Sequence, residues 1–133
     1  MERSAEVLLV AGTLILVYGF ILGVPMAQAR MKSPTAPRHL VNTHLEALMA
    51  GAALLGLSFA ASFSTLGSGL ERIAAWLLVA GTVSTLAGGT VNWRTQADDQ
   101  FAARSAGFYL QAAGGPMVLV GGVLLAMGVL KSI

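Results

Sequence analysis

Four long apolar segments, joined by short polar stretches, constrain this chain more than any other feature of its sequence. The first lies between Glu6 and Arg30 and runs for 23 residues without a charge. A helix of that length, rising about 1.5 Å per residue, exceeds the ~30 Å hydrocarbon core of a bilayer. Charged residues make up only 11% of the chain, too few to give every helix of a soluble bundle a polar outer face. The sequence therefore predicts an integral membrane protein.

The layout of the segments predicts an all-α fold, a transmembrane four-helix bundle in which the whole chain is one domain. We expect the helices at approximately residues 7–29, 43–65, 72–93 and 105–130. Four crossings place both termini on the same side of the lipid bilayer. The Lys and Arg residues are too evenly divided between the two sides to fix the orientation.

The second segment opens with an imidazole and a carboxylate, His44 and Glu46. Thr43 followed three residues later by Glu46 is the capping-box pattern, so we expect this helix to begin at Thr43. Pro34 and Pro37 predict that the preceding loop is not helical. Because ionisable groups are costly inside a membrane, His44 and Glu46 are candidates for function.

Small residues mark the third and fourth segments. The third carries two rows at a spacing of four, Ala80/Ser84/Gly88 and Gly81/Thr85/Gly89. Such rows let helix backbones approach closely in lipid. In the fourth segment, Gly114-Gly115-Pro116 predicts a kink or a locally opened backbone.

Polar side chains concentrate at one end of the predicted bundle. In an up-and-down arrangement, the end of the first segment, the start of the second, the end of the third and the start of the fourth lie at the same membrane face. Those ends carry His39, His44, Glu46, Asn92, Tyr109 and Gln111. We therefore expect these side chains to come together near one surface of the bilayer.

Each candidate also has a purely structural interpretation. His44 is either a nitrogen ligand or an interfacial histidine bonded to a loop carbonyl, and residue type alone favours the second. Glu46 either caps the helix or serves as a hydrogen-bond acceptor or proton carrier. Asn92 and Gln111 either bond between helices or line a pocket, and Tyr109 is typical of an interfacial aromatic belt.

Several chemistries are excluded or disfavoured. The chain has no cysteine, so disulfides, thiolate nucleophiles, iron–sulfur clusters and thiolate-bound haem are ruled out. The net charge of +2 is small and the basic residues are scattered, which argues against nucleic acid as a partner. His39 and His44 are poorly spaced for one zinc site. A haem iron, in contrast, needs only one proximal histidine.

The sequence resembles a known family of membrane enzymes. Residues 44–51, His-Leu-Glu-Ala-Leu-Met-Ala-Gly, together with four crossings in a chain of this length, are similar to the small membrane mutases typified by hydroxylaminobenzene mutase, and to their relatives, the styrene oxide isomerases. The segment layout is similar over the whole chain. The specific part is the His-Leu-Glu helix start and, less specifically, the Thr90-Val91-Asn92-Trp93 end of the third segment.

The resemblance implies a membrane-embedded isomerase that binds haem b. It implies that His44 ligates the iron, and that the protein is a homotrimer with haem at the subunit interfaces. The ferric iron would act as a Lewis acid in a redox-neutral rearrangement of a small aromatic substrate, an aryl hydroxylamine to an aminophenol or an aryl epoxide to an aldehyde. We expect a multi-pass protein of a bacterial cytoplasmic membrane.

One position departs from the family pattern. Members usually carry an asparagine six residues after the histidine, and this chain has Ala50 there. In the epoxide branch that amide helps to position the substrate, so the exact reaction is left open. Candidates for the polar and catalytic contacts from elsewhere in the chain are Glu46, Asn92, Tyr109 and Gln111.

Two other classes of function compete with the isomerase. A non-catalytic scaffold or assembly subunit would bind no cofactor and would use His44 only for stability. A small-solute transporter would need inverted repeats and polar groups at the membrane midplane. The polar groups of this chain are predicted near one face, which disfavours the transporter.

Overall fold

The structure is a computed structural model that describes residues 3–133, and within that range it contains helices and no strand. The helices are α1 (Arg3–Lys32), α2 (Arg38–Ala61), α3 (Ser68–Arg94), the short α4 (Gln100–Ala103) and α5 (Ala106–Leu130). The four long helices have the length and apolar composition needed to cross a membrane. This confirms the all-α fold with four transmembrane helices, and the chain is a multi-pass membrane protein.

The bundle consists of two antiparallel helical hairpins. One is formed by α1 and α2 and the other by α3 and α5, and the closest packing lies within each hairpin. The hairpins meet mainly through α2 against α3, with α1 against α3 next. Apolar side chains from all four helices fill the core between them, among them Leu8, Leu54, Leu78 and Leu125.

Glycines set the spacing within the α1/α2 hairpin. A Cβ added at Gly12 would lie 3.0 Å from the carbonyl oxygen of Gly51, and one added at Gly19 would lie 2.9 Å from the Leu48 side chain. A side chain at Gly12 would therefore push the helix backbones slightly apart, whereas one at Gly19 would first displace the flexible Leu48 side chain. The close approach of the two backbones brings the α1 carbonyls within reach of α2 side chains.

The α3/α5 hairpin packs still more closely. A Cβ added at Gly81 would lie 2.7 Å from the carbonyl oxygen of Gly114, and one added at Gly88 would lie 2.5 Å from that of Gly107. On α5 the buried glycines recur every seven residues, at Gly107, Gly114, Gly121 and Gly128. The predicted small-residue rows on α3 thus mark real contacts: Gly81, Ser84, Thr85 and Gly88 face α5, whereas Gly89 packs against Thr43 of α2.

The predicted start of the second helix was wrong. Helix α2 begins at Arg38, directly after Pro37, so Thr43 and Glu46 lie inside the helix and form no capping box. The Thr43 hydroxyl instead donates to the His39 carbonyl oxygen at 2.6 Å, one turn back. Proline disfavours helix in the residue before it but is well tolerated at the start of one, which explains why α2 follows Pro37 at once.

The other helix ends differ from the prediction by a few residues. Helix α1 spans Arg3–Lys32 and α3 begins at Ser68, so both are longer than predicted at their N-termini. Helix α5 continues through Gly114-Gly115-Pro116, so the predicted opening of its backbone does not occur there. The loop before α5 also contains α4, which Asp99 caps by accepting hydrogen bonds from two backbone amides.

Candidate functional site

His44 lies in the second turn of α2 and faces α1. Its Nδ1 is 2.7 Å from the carbonyl oxygen of Gly19. A carbonyl can only accept a hydrogen bond, so Nδ1 carries a proton, which is the tautomer whose second nitrogen, Nε2, can serve as a ligand. The structural interpretation of His44 expected a loop carbonyl as the partner, whereas the observed partner belongs to a transmembrane helix.

The second ring nitrogen of His44 is not used by the protein. Among residues 3–133, Nε2 has no hydrogen-bond partner, and the side chain is half-buried. Metal-bound histidines commonly donate their other N–H to a carbonyl, which fixes the tautomer and orients the ring. The same geometry also suits a simple tie between two helices.

Gly23 lies beside the imidazole, one turn along α1 from Gly19. A Cβ added there would be 3.3 Å from Cε1 of His44, so the absence of a side chain leaves that edge of the ring clear. The residues that follow in sequence, Phe20, Val24 and Leu45, are exposed apolar side chains. Apolar side chains of both helices are therefore exposed to lipid in this part of the hairpin.

Glu46 is separated from His44 by the geometry of the helix. Residues two positions apart on an α-helix point about 200° away from each other, so His44 and Glu46 lie on opposite sides of α2. Glu46 is half-buried and lines an open cavity of about 540 Å³ together with Asn42, Met49 and Ala50. A direct role of Glu46 beside the imidazole of the same chain does not follow from this placement.

Asn92 is fully buried at the end of α3, with none of its surface exposed. Its Nδ2 donates to Oε1 of Gln100 at 2.8 Å, and its Oδ1 accepts from the Ser105 hydroxyl at 2.6 Å. Ser105 also caps α5 by accepting from the Phe108 amide. Asn92 thus connects α3 to α4 and to the start of α5, and both ends of its amide are engaged.

Tyr109 and Gln111 lie on different sides of α5. Tyr109 is 58% exposed, and its ring contacts Phe108 edge-on at 5.4 Å. Gln111 packs its aliphatic part over Gly88 at the α3/α5 contact, and its amide has no hydrogen bond within residues 3–133. Neither residue forms a described contact with His44, so one chain does not bring the predicted site together.

The predicted polar end of the bundle does come together at the loops. The Arg38 guanidinium donates to the Asp98 carbonyl oxygen at 2.5 Å, and Nε2 of His39 lies 2.6 Å from the carbonyl oxygen of Ala97. These bonds fasten the start of α2 to the loop after α3. Beside them lies a partly polar cavity of about 490 Å³ that includes His39 and Asn92.

The sequence analysis missed a polar contact between the hairpins. The Tyr18 hydroxyl on α1 is 2.5 Å from Oγ1 of Thr90 on α3, and Thr90 itself donates to the Leu86 carbonyl oxygen. Tyr18 must therefore be the donor in the pair. The one available signal was a tyrosine and a threonine inside apolar segments, which does not identify partners 72 positions apart.

No group of three or more His, Asp or Glu side chains within residues 3–133 is placed to hold a metal ion. A site built on a single histidine is not of that kind. Comparison of the chain with protein-family models, curated protein sequences and solved structures found no match. Function must therefore be inferred from the residues themselves.

Proposed function

We propose that the protein is a haem-b-binding isomerase of the bilayer, in which His44 is the iron ligand. The observation that carries the proposal is the tethered imidazole, with Nδ1 held by the Gly19 carbonyl and Nε2 without a partner in residues 3–133. The ring is oriented before any ligand arrives, which lowers the entropic cost of binding. The resemblance of residues 44–51 to the membrane mutases supports the same assignment.

The residues around His44 fit a macrocycle at the outer surface of the hairpin. Gly23 keeps one edge of the ring clear, so a macrocycle bound to His44 would lie against the outer surface of the hairpin. A flat cofactor at such a surface needs a second wall. A homotrimer that sandwiches one haem at each subunit interface supplies that wall and agrees with the resemblance.

When bound, ferric haem supplies a Lewis acid for a redox-neutral rearrangement of a small aromatic substrate. The contribution of the chain is to hold and orient the ligand nitrogen and to surround the substrate with apolar side chains. Exclusion of water protects a cation-like centre from hydrolysis. Aryl hydroxylamines and aryl epoxides are lipid-soluble and can reach a bacterial cytoplasmic membrane site laterally.

The polar contacts to the substrate are a further part of the proposal. Ala50 replaces the family asparagine, and Asn92 is engaged inside the fold. Tyr109, Gln111 and Glu46 keep hydrogen-bonding groups without partners in residues 3–133. Of these, Tyr109 is the most exposed and the best placed to act across a subunit interface.

The visible spectrum of the purified protein tests the cofactor. We expect a Soret band in the wild type, its loss in His44→Ala, and its retention in His39→Ala, which removes the other histidine. Gly23→Leu should lower haem occupancy without removing the ligand, whereas Gly56→Leu, at a glycine with open space around it, should not. The assignment would be refuted if the wild-type protein showed no Soret band even after incubation with haem.

Product analysis tests the reaction. The haem-loaded protein is offered phenylhydroxylamine and styrene oxide, and aminophenol or phenylacetaldehyde is the expected product. Turnover of neither by a haem-loaded trimer would refute the isomerase and leave a haem-binding membrane protein. The non-catalytic scaffold predicts instead that His44→Ala changes stability and nothing else.

A further inference from the structure

A long apolar groove runs between α1 and α3 at the bundle end opposite the polar loops. Its outer part is a cavity of about 610 Å³, bounded by Val7, Val10 and Leu14 on α1 and by Trp76 on α3. Leu14 also lines a second apolar cavity of about 440 Å³ further along the same two helices. Because Leu14 lines both cavities, they form one continuous groove on the membrane-facing surface.

Two guanidinium groups lie at the outer end of the groove. Arg3 and Arg72 line the outer cavity together with Glu6, so positive charge exceeds negative charge there. Neither arginine forms an ion pair or a hydrogen bond with any residue in the range 3–133. An arginine with five unused donors is well suited to a phosphate group.

The length of the groove matches the thickness of one lipid leaflet. Arg3 and Leu14 are separated by about 16 Å of helix, which is close to half of the ~30 Å hydrocarbon core. Trp76 lies one turn from Arg72 and is half-exposed, a position typical of the interface between headgroups and acyl chains. The charged end therefore lies at headgroup depth, and the apolar part extends toward the bilayer centre.

We propose that this groove binds an anionic phospholipid. The phosphate and the anionic headgroup lie against Arg3 and Arg72, and one acyl chain packs along Val10, Leu14 and Trp76. A second copy of the chain could fill the apolar part, but it would leave two guanidiniums to be matched. This site is independent of the haem proposal, because it lies at the other membrane face and shares no residue with the surroundings of His44.

Native mass spectrometry tests the headgroup contact. The protein is equilibrated with equal amounts of phosphatidylglycerol and phosphatidylcholine that carry the same acyl chains. We expect retained phosphatidylglycerol in the wild type, and a fall of about tenfold or more in its preference in the variant Arg3→Gln/Arg72→Gln, because each interfacial arginine contributes roughly fivefold. The control Arg30→Gln/Lys32→Gln removes two positive charges from the other end of α1 and should change the preference less than twofold.

Filling the groove tests the acyl-chain contact. Val10 is 57% exposed and lines the groove, so Val10→Trp should displace the lipid without disturbing the core, whereas Val120→Trp, at an exposed position of α5 that does not line the groove, should not. Equal retention of both lipids by the wild type, or equal losses in the two charge-removal variants, would overturn the proposal. It would also be overturned if the variant Val10→Cys/Trp76→Cys formed disulfide-linked dimers and the groove held no lipid.

Discussion

In the α3/α5 hairpin, the buried amide of Asn92 is hydrogen-bonded at both of its ends, whereas in the α1/α2 hairpin the imidazole of His44 is bonded at one nitrogen only. Both residues were candidates because both are polar and lie near the same membrane face. Inside a membrane an unused polar group is costly. A polar side chain with one hydrogen-bonding atom unpaired is therefore a better indicator of a ligand site than the polarity of the residue alone.

The two hairpins also differ in how closely their two helix backbones approach each other. The backbone atom nearest to an added Cβ lies at 2.5–2.7 Å at Gly88, Gly81 and Gly114 in α3/α5, but at 2.8 Å at Gly51 and 3.0 Å at Gly12 in α1/α2. The α3/α5 pair is thus the tighter half of the bundle. The difference suggests a rigid hairpin that supports a second hairpin carrying the candidate ligand.

The largest effect is expected at the α3/α5 contact. Gly114→Ala places a methyl group 2.5 Å from the Gly81 carbonyl oxygen, and the helices must separate to relieve it. We expect a loss of about 3 kcal/mol in the free energy of unfolding, measured in detergent. The neighbouring Gly115 has open space around it, so Gly115→Ala is the control and should be neutral or slightly stabilising. Equal behaviour of the two variants would contradict the tight packing.

Removal of the Asn92 amide comes next. Asn92→Ala leaves Gln100 and Ser105 without their partner in a buried setting, and we expect a loss of about 2 kcal/mol. The exposed Asn42 provides the control, and Asn42→Ala should have little effect. If Asn92 contacts substrate, as the sequence analysis predicted, turnover per folded protein must fall as well. A loss of turnover without a loss of stability would contradict the structural role.

The same alanine test on the other hairpin should give a smaller effect. At Gly12 the nearest atoms lie at 3.0 Å, so a shift of a few tenths of an ångström relieves the contact. We expect Gly12→Ala to cost about 1 kcal/mol, the low end of the range for overpacking. Thermal unfolding of the Gly12 and Gly114 variants in one detergent makes the comparison direct. A larger loss at Gly12 would reverse the assignment of the rigid hairpin.

The number of crossings could be predicted from the sequence because it depends on length and hydropathy alone. The rows on α3 could also be found, since small residues at a spacing of four have one common use in lipid. The start of α2 could not, because Thr43 and Glu46 match a capping box by residue type while Pro37 provides the actual start. Local patterns predict what a helix can do, and the tertiary contacts decide which option is used.

The candidate site was predictable as a set of residues but not as an arrangement. His44 was singled out from its residue type, yet its partner is a backbone carbonyl at Gly19, and every residue has such a group. The engagement of Asn92 depends on α4, a four-residue helix with no strong sequence signal. Tyr109 and Gln111 needed the rotation of α5 to be known before their surroundings could be assigned.

The smallest expected effect concerns the hydrogen bond from the Tyr18 hydroxyl on α1 to the Thr90 hydroxyl on α3, which joins the two hairpins. Such bonds contribute about 0.6 kcal/mol on average in membrane proteins, because the unfolded helices find other partners. We expect Tyr18→Phe and Thr90→Val each to lose about that much, and the double variant to lose no more than either. Tyr109→Phe removes a hydroxyl that has no partner within residues 3–133 and serves as the control. Strictly additive losses would mean that the hairpins are joined by apolar packing alone, and that Tyr18 and Thr90 act separately.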